Sequence, residues 1–439
     1  MRKFLLALVL PALALGTAAC QVGTQSGNGT AAGAQESAAA GVGGPQAPEP
    51  AMNAPDKTAW DIFIEAVKPG AGSESAFQGW ASDTDTFKPN AVWPAQAQAQ
   101  TNVEAKGKLG APHALLGRPA LRPHRMLEAG AVQQQGIPNP APPSTEPGAD
   151  NNLIEEVFRD HPAFDFIVGN HLNSRSGLIA AFKAGTNISF PADSVEVKTN
   201  WIPVADLGKY YPGVSADQFY VASQGGTQYA LIAMHVISKL VPNWTWATFE
   251  HQANPGRCDF IGCNDTYGAE NAHVAPLDNQ GQNQGQTYPA CTKTHALQSA
   301  LKAAGVAAVF ANYCLKGSQT DFTDNTGLAV RLGNTVTEYS FVPQASCMTC
   351  HGEANFTSAG QSTTKFGFIG GNGQVGPINP LSVGYWKTSG APPPYPLYQG
   401  MPGLIRNAGS ADFVWSIPFC AYDDVTDPKK PAPSPCVGK

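Results

Sequence analysis

Three reactive side chains stand together in the segment Ser346-Cys347-Met348-Thr349-Cys350-His351. On a helical turn, two thiols three positions apart can both add to the vinyl groups of one haem, and the adjacent imidazole then falls under the iron as proximal ligand. A local disulfide with an incidental histidine also fits the pattern. A thioredoxin-like redox pair fits less well, because it would follow a buried strand in a βαβ unit that the surrounding sequence does not indicate. The sequence therefore predicts one covalently bound haem c at Cys347, Cys350 and His351.

The sixth ligand of that iron would decide what kind of haem protein this is. Met401 is the only methionine after His351, and the following Pro402 would hold it in a loop. A thioether at this position favours reduced iron, so Met401 is the predicted distal ligand, with an ordinary loop methionine as the alternative. His235 and His251 are the other candidates, although a lone histidine on an apolar strand is more often a hydrogen-bonded core residue.

Aromatic and cationic side chains could complete such a site. Trp244 and Trp246 are separated by one residue and would therefore lie on the same face of a predicted strand. Trp415 lies near the end of the chain. We expect them in the core, and an aromatic wall for a haem or another ligand is the alternative. Arg257 and Lys365 could pair with haem propionates, but their spacing does not favour that role over a solvated surface position.

The remaining cysteines predict a disulfide framework. The chain has nine cysteines, and six remain once Cys20 and the Cys347–Cys350 pair are set aside. An even number in an exported chain indicates three disulfides, which six cysteines can form in about 15 ways. Half of a metal site at the first two of the six is a weaker alternative, because no second closely spaced pair accompanies it. Proximity in the chain favours Cys258–Cys263, Cys291–Cys314 and Cys420–Cys436.

The N-terminus has the pattern of an export signal. A short basic start is followed by an apolar run at 4–15 and by small residues up to Ala19, so residues 1–19 read as a signal peptide. Cys20 then resembles the acylated cysteine of a bacterial lipoprotein, which implies a lipid anchor on the periplasmic side of a membrane. Thr17 stands where such signals usually carry leucine, so cleavage without lipidation stays open.

Composition excludes several classes of protein. The formal net charge is −6 and only 14% of residues are charged, so there is no basic surplus for tracking nucleic-acid phosphates. The only long apolar run is at the start, which excludes a polytopic membrane protein. The 46 glycines and 37 prolines favour long irregular connections over helical bundles.

Hydrophobic periodicity predicts helices and antiparallel strands in one chain, and hence an α+β fold with a central antiparallel-rich sheet. Helical segments dominate its N-terminal part, and an irregular Gly/Pro-rich region that binds haem c follows the sheet. The helices are expected at 60–67, through most of 155–182 and at 295–304. The strands are expected at 194–201, 218–222, 228–240, 245–251, 306–315 and 328–341, with a hairpin turn at Gly225-Gly226.

The predicted organisation follows from these elements. Residues 20–56 lack large apolar side chains and read as a disordered tether. An α+β domain at 57–340 follows, containing a loop excursion at 133–150 and a disulfide-held loop at 253–290. The haem-binding region is expected at 341–422, and a tail at 423–439.

Several further segments resemble landmarks of one set of proteins. These segments begin at Ala59, Gly79, His161, Phe190, Asn243, Ser346 and Asp412 and include Asn243-Trp244-Thr245-Trp246 and Asp412-Phe413-Val414-Trp415-Ser416. They are similar to those of the large, exported mono-haem "cytochrome c family" proteins of bacteria, over residues 57–422. The resemblance implies one haem in one extended unit, and it identifies a family better than a substrate.

Three hypotheses about function follow. The first is a haem-binding electron carrier with both axial positions filled, acting on a redox partner that the sequence does not identify. The second is a peroxidase- or oxygenase-like oxidoreductase with an open distal position. The third is a disulfide-rich binding lipoprotein without haem. All three predict no nucleic-acid partner and a membrane contact only through the N-terminal anchor.

Overall fold

A computed structural model describes eleven parts of the chain. They are residues 48–70, 74–94, 153–186, 188–277, 287–322, 324, 330–338, 342, 345–352, 354–362 and 409–436, all within one compact unit. The predictions for the signal peptide, Cys20, the 133–150 excursion, Lys365 and Met401 lie outside these residues.

The centre of the fold is a seven-stranded sheet in the order β1-β2-β3-β5-β6-β9, with β4 paired to β5. Every pairing in it is antiparallel. Two small two-stranded pairs, β7–β8 and β10–β11, lie outside it. The strands are β1 Ala81–Ser82, β2 Ile154–Arg159, β3 Val195–Pro203, β4 Val221–Gln224, β5 Thr227–Ser238, β6 Thr245–His251, β7 Cys263–Asn264, β8 His273–Val274, β9 Tyr313–Gln319, β10 Asn355–Phe356 and β11 Gly409–Ser410.

Short helices surround the sheet, so the mixed α+β class with a large antiparallel sheet is confirmed. The α-helices are α1 Pro48–Asn53, α2 Pro55–Val67, α3 Asp83–Thr86, α4 His161–Gly169, α5 Arg175–Ala184, α6 Leu207–Tyr210, α7 His295–Ala303, α8 Cys347–Gly352 and α9 Ser416–Cys420. Among the described residues, no helix combines the length and the apolar character needed to cross a bilayer.

Most of the predicted elements have the expected type. The predicted helices at 60–67 and 295–304 lie within or overlap α2 and α7, and three predicted strands match β3, β5 and β6. The hairpin turn is at Gly225-Gly226, where both residues have positive φ angles of 57° and 83°. Glycine adopts that conformation without the steric cost of a Cβ atom.

The prediction of a mainly helical segment at 155–182 is wrong at its start. Residues Ile154–Arg159 form β2, which pairs along its whole length with β3. Because β3 lies far along the chain, this pairing cannot be recognised from the local hydrophobic pattern. The helix begins only after Asp160, whose carboxylate accepts a hydrogen bond from the Ala163 amide at 3.1 Å. This N-cap separates strand from helix.

Two other predicted strands are also corrected. In the segment 306–315, a 3-10 helix occupies Ala308–Asn312, and β9 begins at Tyr313 because its register starts opposite His251. In the segment 328–341, the described residues 330–338 contain no strand: Leu332 forms an isolated β-bridge with Ser346, and residues 335–338 form a turn. There the side chain of Asn334 accepts the Val336 amide at 2.9 Å and so replaces sheet pairing with a local turn.

The helical part of the chain begins before the predicted end of the tether at residue 56. Helices α1 and α2 start at Pro48 and Pro55. The Asp56 carboxylate is buried and accepts hydrogen bonds from the Thr266 amide at 2.8 Å and the Thr266 hydroxyl at 2.7 Å. This tertiary anchor, invisible in the composition, fixes the start of α2.

All three disulfides that chain proximity favours are confirmed. They are Cys258–Cys263, Cys291–Cys314 and Cys420–Cys436. The first closes a turn inside the long 253–290 segment, and the second fastens the chain after that segment to β9. The third joins α9 to the C-terminal tail.

Two hydrophobic clusters pack against opposite faces of the sheet, because successive strand residues point to opposite sides. On β6, Phe249 belongs to the cluster with Trp60 and Phe63. Trp246 belongs to the other cluster, which also holds Met348 of α8 and Trp415. The face that carries Trp246 is therefore covered by the two segments that bear the Cys-x-x-Cys-His motif and the C-terminal aromatics.

Candidate functional site

The six residues of α8 carry the reactive motif and are fixed firmly to β9. Met348 is fully buried in the core, and its amide donates to the side-chain oxygen of Gln319 at 3.2 Å. The side-chain nitrogen of Gln319 in turn donates to the Ser346 hydroxyl at 3.2 Å. Because one strand residue holds both the residue before α8 and the second residue of α8, the sheet sets the position of the start of the motif.

Cys347 and Cys350 are half-buried thiols that take no part in the three disulfides. Both line the same cavity as His351. Burial, with a contribution from Glu338, raises the pKa of Cys347 well above its ordinary value. A thiol of this kind stays protonated at neutral pH and does not react as a free thiolate.

The orientation of His351 is fixed by a backbone group. Its Nδ1 lies 2.9 Å from the carbonyl oxygen of Phe413, so Nδ1 carries the proton and donates it. Burial, with a smaller contribution from Lys198, lowers the pKa of His351 to about 4. The ring is therefore neutral at physiological pH, with the lone pair on Nε2, which is the state in which histidine binds a metal.

The cavity beside these residues has a volume of about 150 Å³. This is less than the roughly 300–1,000 Å³ of common small-molecule and cofactor pockets. Its apolar wall includes Trp246, whose ring centroid lies 4.6 Å from that of His351. Trp415 lines the same wall, donates from Nε1 to the Cys350 carbonyl at 3.2 Å and stacks on Phe419.

Polar side chains also line the cavity, and most of them come from the sheet. Glu155 of β2, Lys198 of β3 and His235 of β5 face the cavity together with Glu338. Lys198 forms an ion pair with Glu155 at 3.2 Å. Burial raises the pKa of Glu338 to about 7, so this carboxyl group can gain or lose a proton near neutral pH.

His235, one of the predicted alternative ligands, lines the cavity but is hydrogen-bonded through Nε2. Asn334 accepts backbone amides through its side-chain oxygen, which orients its Nδ2 as the donor to His235 Nε2 at 3.0 Å. Burial, followed by the nearby charge of Lys198, lowers the pKa of His235 to about 3. The lone pair that would bind a metal is therefore already used.

His251, the other alternative, lies on the opposite face of β6 and does not line the cavity. Its Nε2 is 3.0 Å from the Gln218 carbonyl oxygen, its Nδ1 accepts the Ala253 amide at 3.2 Å, and its ring stacks on Phe219. Both ring nitrogens have protein partners, and the residue belongs to the core.

The predicted aromatic and cationic residues divide between core and cavity. Trp246 and Trp415 line the cavity, whereas Trp244 precedes β6 with a positive φ of 62° and packs on Phe190. Trp244 therefore does not share a strand face with Trp246, which corrects that prediction. Arg257 lies away from the cavity, against the sulfur atoms of the Cys258–Cys263 disulfide and the Pro289 carbonyl.

The sequence alone does not predict four groups of the site: Lys198, Glu155, Glu338 and the carbonyl group of Phe413. The alternation in Glu196-Val197-Lys198 indicates a strand with one polar face, which suggests that this face meets solvent. In the structure, α8 and α9 cover it, and the charged side chains become cavity walls. The sequence holds no local signal for that cover.

One further group of ligand-type side chains is near the cavity but cannot bind a metal as it stands. Asp83 lies 3.8 Å from the Cys420 sulfur atom, next to Cys436. Both cysteines are oxidised in their disulfide, and metal binding requires thiolates.

The site combines groups of different chemical character. Its elements are two thiols, a neutral imidazole with its Nε2 lone pair retained, an aromatic wall and a charged wall, around one cavity. Comparison of the chain with protein-family models, with curated proteins and with solved structures finds no match.

Proposed function

We propose that the protein is an exported mono-haem c-type cytochrome-like protein that transfers one electron at a time. Cys347 and Cys350 would hold the haem through thioether bonds, His351 would be its proximal ligand, and Met401 its distal ligand. Bound there, the haem would supply a one-electron Fe(III)/Fe(II) couple.

The observation that carries the proposal is the hydrogen bond from His351 Nδ1 to the Phe413 carbonyl oxygen at 2.9 Å. Metal-binding histidines almost always donate their other ring nitrogen in this way, and the bond fixes both tautomer and orientation. A histidine that merely followed a Cys-x-x-Cys pair would have no reason to be held with Nε2 unprotonated beside two thiols and a cavity.

The aromatic wall supports the same function. Trp246 packs against the His351 ring, and Trp415 is fastened to the backbone of Cys350. Apolar surfaces beside the motif lower the local dielectric constant, which is one of the means by which a protein sets a haem potential.

A haem-dependent oxidoreductase is the second candidate, and the polar wall favours it. Glu338 titrates near neutral pH and lies within 3.5 Å of His235. An acid–base group of this kind beside an open iron site would suit peroxidase- or oxygenase-like chemistry. The two candidates differ in whether the distal position is filled.

The experiment is expression of the full chain with a haem-attachment system, followed by acid–acetone extraction of the denatured protein. We expect the haem to stay with the wild-type chain and to be lost from the Cys347→Ser/Cys350→Ser variant. The matched control is Cys258→Ser/Cys263→Ser, which also removes two cysteines but should keep the haem. Freely extracted wild-type haem would refute the attachment, and absence of haem absorbance would favour a binding lipoprotein without haem.

The optical spectrum of the same preparation separates the two haem functions. A low-spin ferric spectrum supports the electron carrier. A high-spin spectrum that changes on adding cyanide supports the oxidoreductase.

A further inference from the structure

The backbone that receives the His351 hydrogen bond has an unusual conformation. Asp412 and Phe413 both have positive φ angles, of 49° and 70°. This left-handed conformation is sterically unfavourable for a non-glycine residue, and for a bulky residue such as Phe413 it needs support from its surroundings. The conformation aims the Phe413 carbonyl at His351 Nδ1, 2.9 Å away.

The support comes from a buried carboxylate. The Asp412 side chain has no exposed surface, and one of its oxygens accepts the Lys239 ammonium at 2.6 Å. Its other oxygen accepts the Phe190 amide at 2.8 Å. The backbone amide of Asp412 donates to the Ser410 hydroxyl at 2.8 Å. Three separate contacts therefore hold one residue in the left-handed region.

Lys239 connects this turn to the central sheet. It directly follows the last residue of β5, its side chain is 5% exposed, and its ammonium group also donates to the Pro242 carbonyl at 2.6 Å. A buried ion pair is seldom a net source of stability, because removing two charges from water costs several kcal/mol. Here the pair does something that an apolar contact could not do: it fixes the direction of a neighbouring carbonyl.

We propose that Lys239 and Asp412 are positioning residues that hold the Phe413 carbonyl on His351 and thereby set the reduction potential of the bound haem. The proposal rests on the proposed function for its effect on the potential, although the effect on the His351 tautomer concerns the protein alone. Neither residue lines the cavity, so each acts through Phe413.

The physical reason is the basicity of the proximal nitrogen. A strong Nδ1–H···O=C bond pushes electron density towards Nε2 and so favours ferric over ferrous iron. If the turn relaxes and this bond lengthens, Nε2 becomes a weaker donor. The potential of the haem then rises.

The test compares Lys239→Met, Asp412→Asn and the double variant with a matched control, Lys316→Met. Lys316 also forms a buried pair, with Glu250 at 3.4 Å, but it does not touch the turn. Asparagine tolerates a positive φ, so Asp412→Asn removes the charge while allowing the same backbone. The double variant leaves no unpaired buried charge, so it keeps the test open if a single variant does not fold.

In redox titrations of the haem-loaded chain, we expect Lys239→Met and the double variant to shift the ferric/ferrous equilibrium about tenfold towards ferrous, which is about 59 mV for one electron. Lys316→Met should stay near wild type. A potential that moves no further in the Lys239 and Asp412 variants than in the control would overturn the proposal.

A second measurement does not depend on haem. In the full chain expressed without haem attachment, ¹⁵N NMR should show His351 as the Nδ1–H tautomer, with its signal assigned by loss in His351→Gln. Lys239→Met should produce a mixture of tautomers, and Lys316→Met should not. If wild type holds no haem but the tautomer responds, the proposed function has failed while the positioning role stands; an unresponsive tautomer refutes the role itself.

Discussion

At the scale of single residues, His351 and His235 show how hydrogen bonds decide what a histidine can do. Both line the cavity, and burial keeps both neutral by lowering their pKa values. At His235, Asn334 donates to Nε2 at 3.0 Å and uses the lone pair. At His351, the Phe413 carbonyl accepts a hydrogen bond from Nδ1–H, which leaves the Nε2 lone pair for a ligand bond. The same side chain is thus a core residue in one place and a potential metal ligand in the other.

Because His235 has no Nε2 lone pair to offer, Met401 stays the proposed distal ligand. Met401→Ala should turn the ferric haem high-spin and open it to cyanide while the haem stays covalently bound, because a thioether is removed from the iron and the thioether attachments are untouched. The measurement is the ferric absorption spectrum with and without cyanide. Met52→Ala, at an exposed position, is the control and should stay low-spin. A low-spin Met401→Ala spectrum would contradict the assignment.

At the scale of elements, the side chains of β6 point to two different parts of the molecule. Trp246 points to the cavity, and Phe249 and His251 point to the other core. His251 is fully buried and joins the end of β6 to Gln218 before β4. Its role is to hold the sheet that carries the cavity wall.

That role predicts a pH dependence of stability. Burial lowers the pKa of His251 from 6.5 to about 4, so between these values the unfolded chain binds a proton that the folded chain does not. This contribution to the free energy of unfolding is present above pH 6.5 and is lost as the pH falls to about 4. Wild type should therefore lose on the order of 3 kcal/mol more than His251→Gln across this range.

Urea unfolding at several pH values measures that difference, with His295→Gln at an exposed helix start as the control. Parallel pH profiles for wild type and His251→Gln would refute it.

The elements also show what a sequence can and cannot predict. Strands β3, β5 and β6 carry their own alternation or apolar run, so local pattern suffices for them. Strand β2 exists because β3 lies beside it, and the turn at Asn334 exists because the sheet supplies His235 and Thr248 as partners for its side chain. The thiols and imidazole of α8 are adjacent in the chain and could be predicted. The Phe413 carbonyl, Lys198 and Glu338 come to the cavity from distant segments and could not.

At the scale of the whole molecule, six of the eight cysteines that the structure describes are oxidised and two are thiols. The three disulfides fit an oxidising compartment, which agrees with the predicted signal peptide at 1–19. The third of them, Cys420–Cys436, lines the same cavity as Cys347 and Cys350. Disulfide formation and haem attachment would therefore have to proceed in one compartment without disulfide exchange between Cys347 or Cys350 and the Cys420–Cys436 pair.

Export and anchoring can be separated by two changes near the N-terminus. A chain lacking residues 2–19 should remain in the reducing cytoplasm, and we expect it to carry neither disulfides nor covalent haem, because both need an exported chain. Cys20→Ser should keep its haem and its disulfides, since cleavage without lipidation still exports the protein, but it should move from the detergent phase to the aqueous phase. Detergent partitioning, thiol titration and haem absorbance measure these properties in parallel, with wild type as the reference.

A wild-type protein found wholly in the aqueous phase with an unmodified N-terminal Cys20 would contradict the anchor and leave export intact. Loss of haem in Cys20→Ser would instead mean that attachment requires the membrane surface itself.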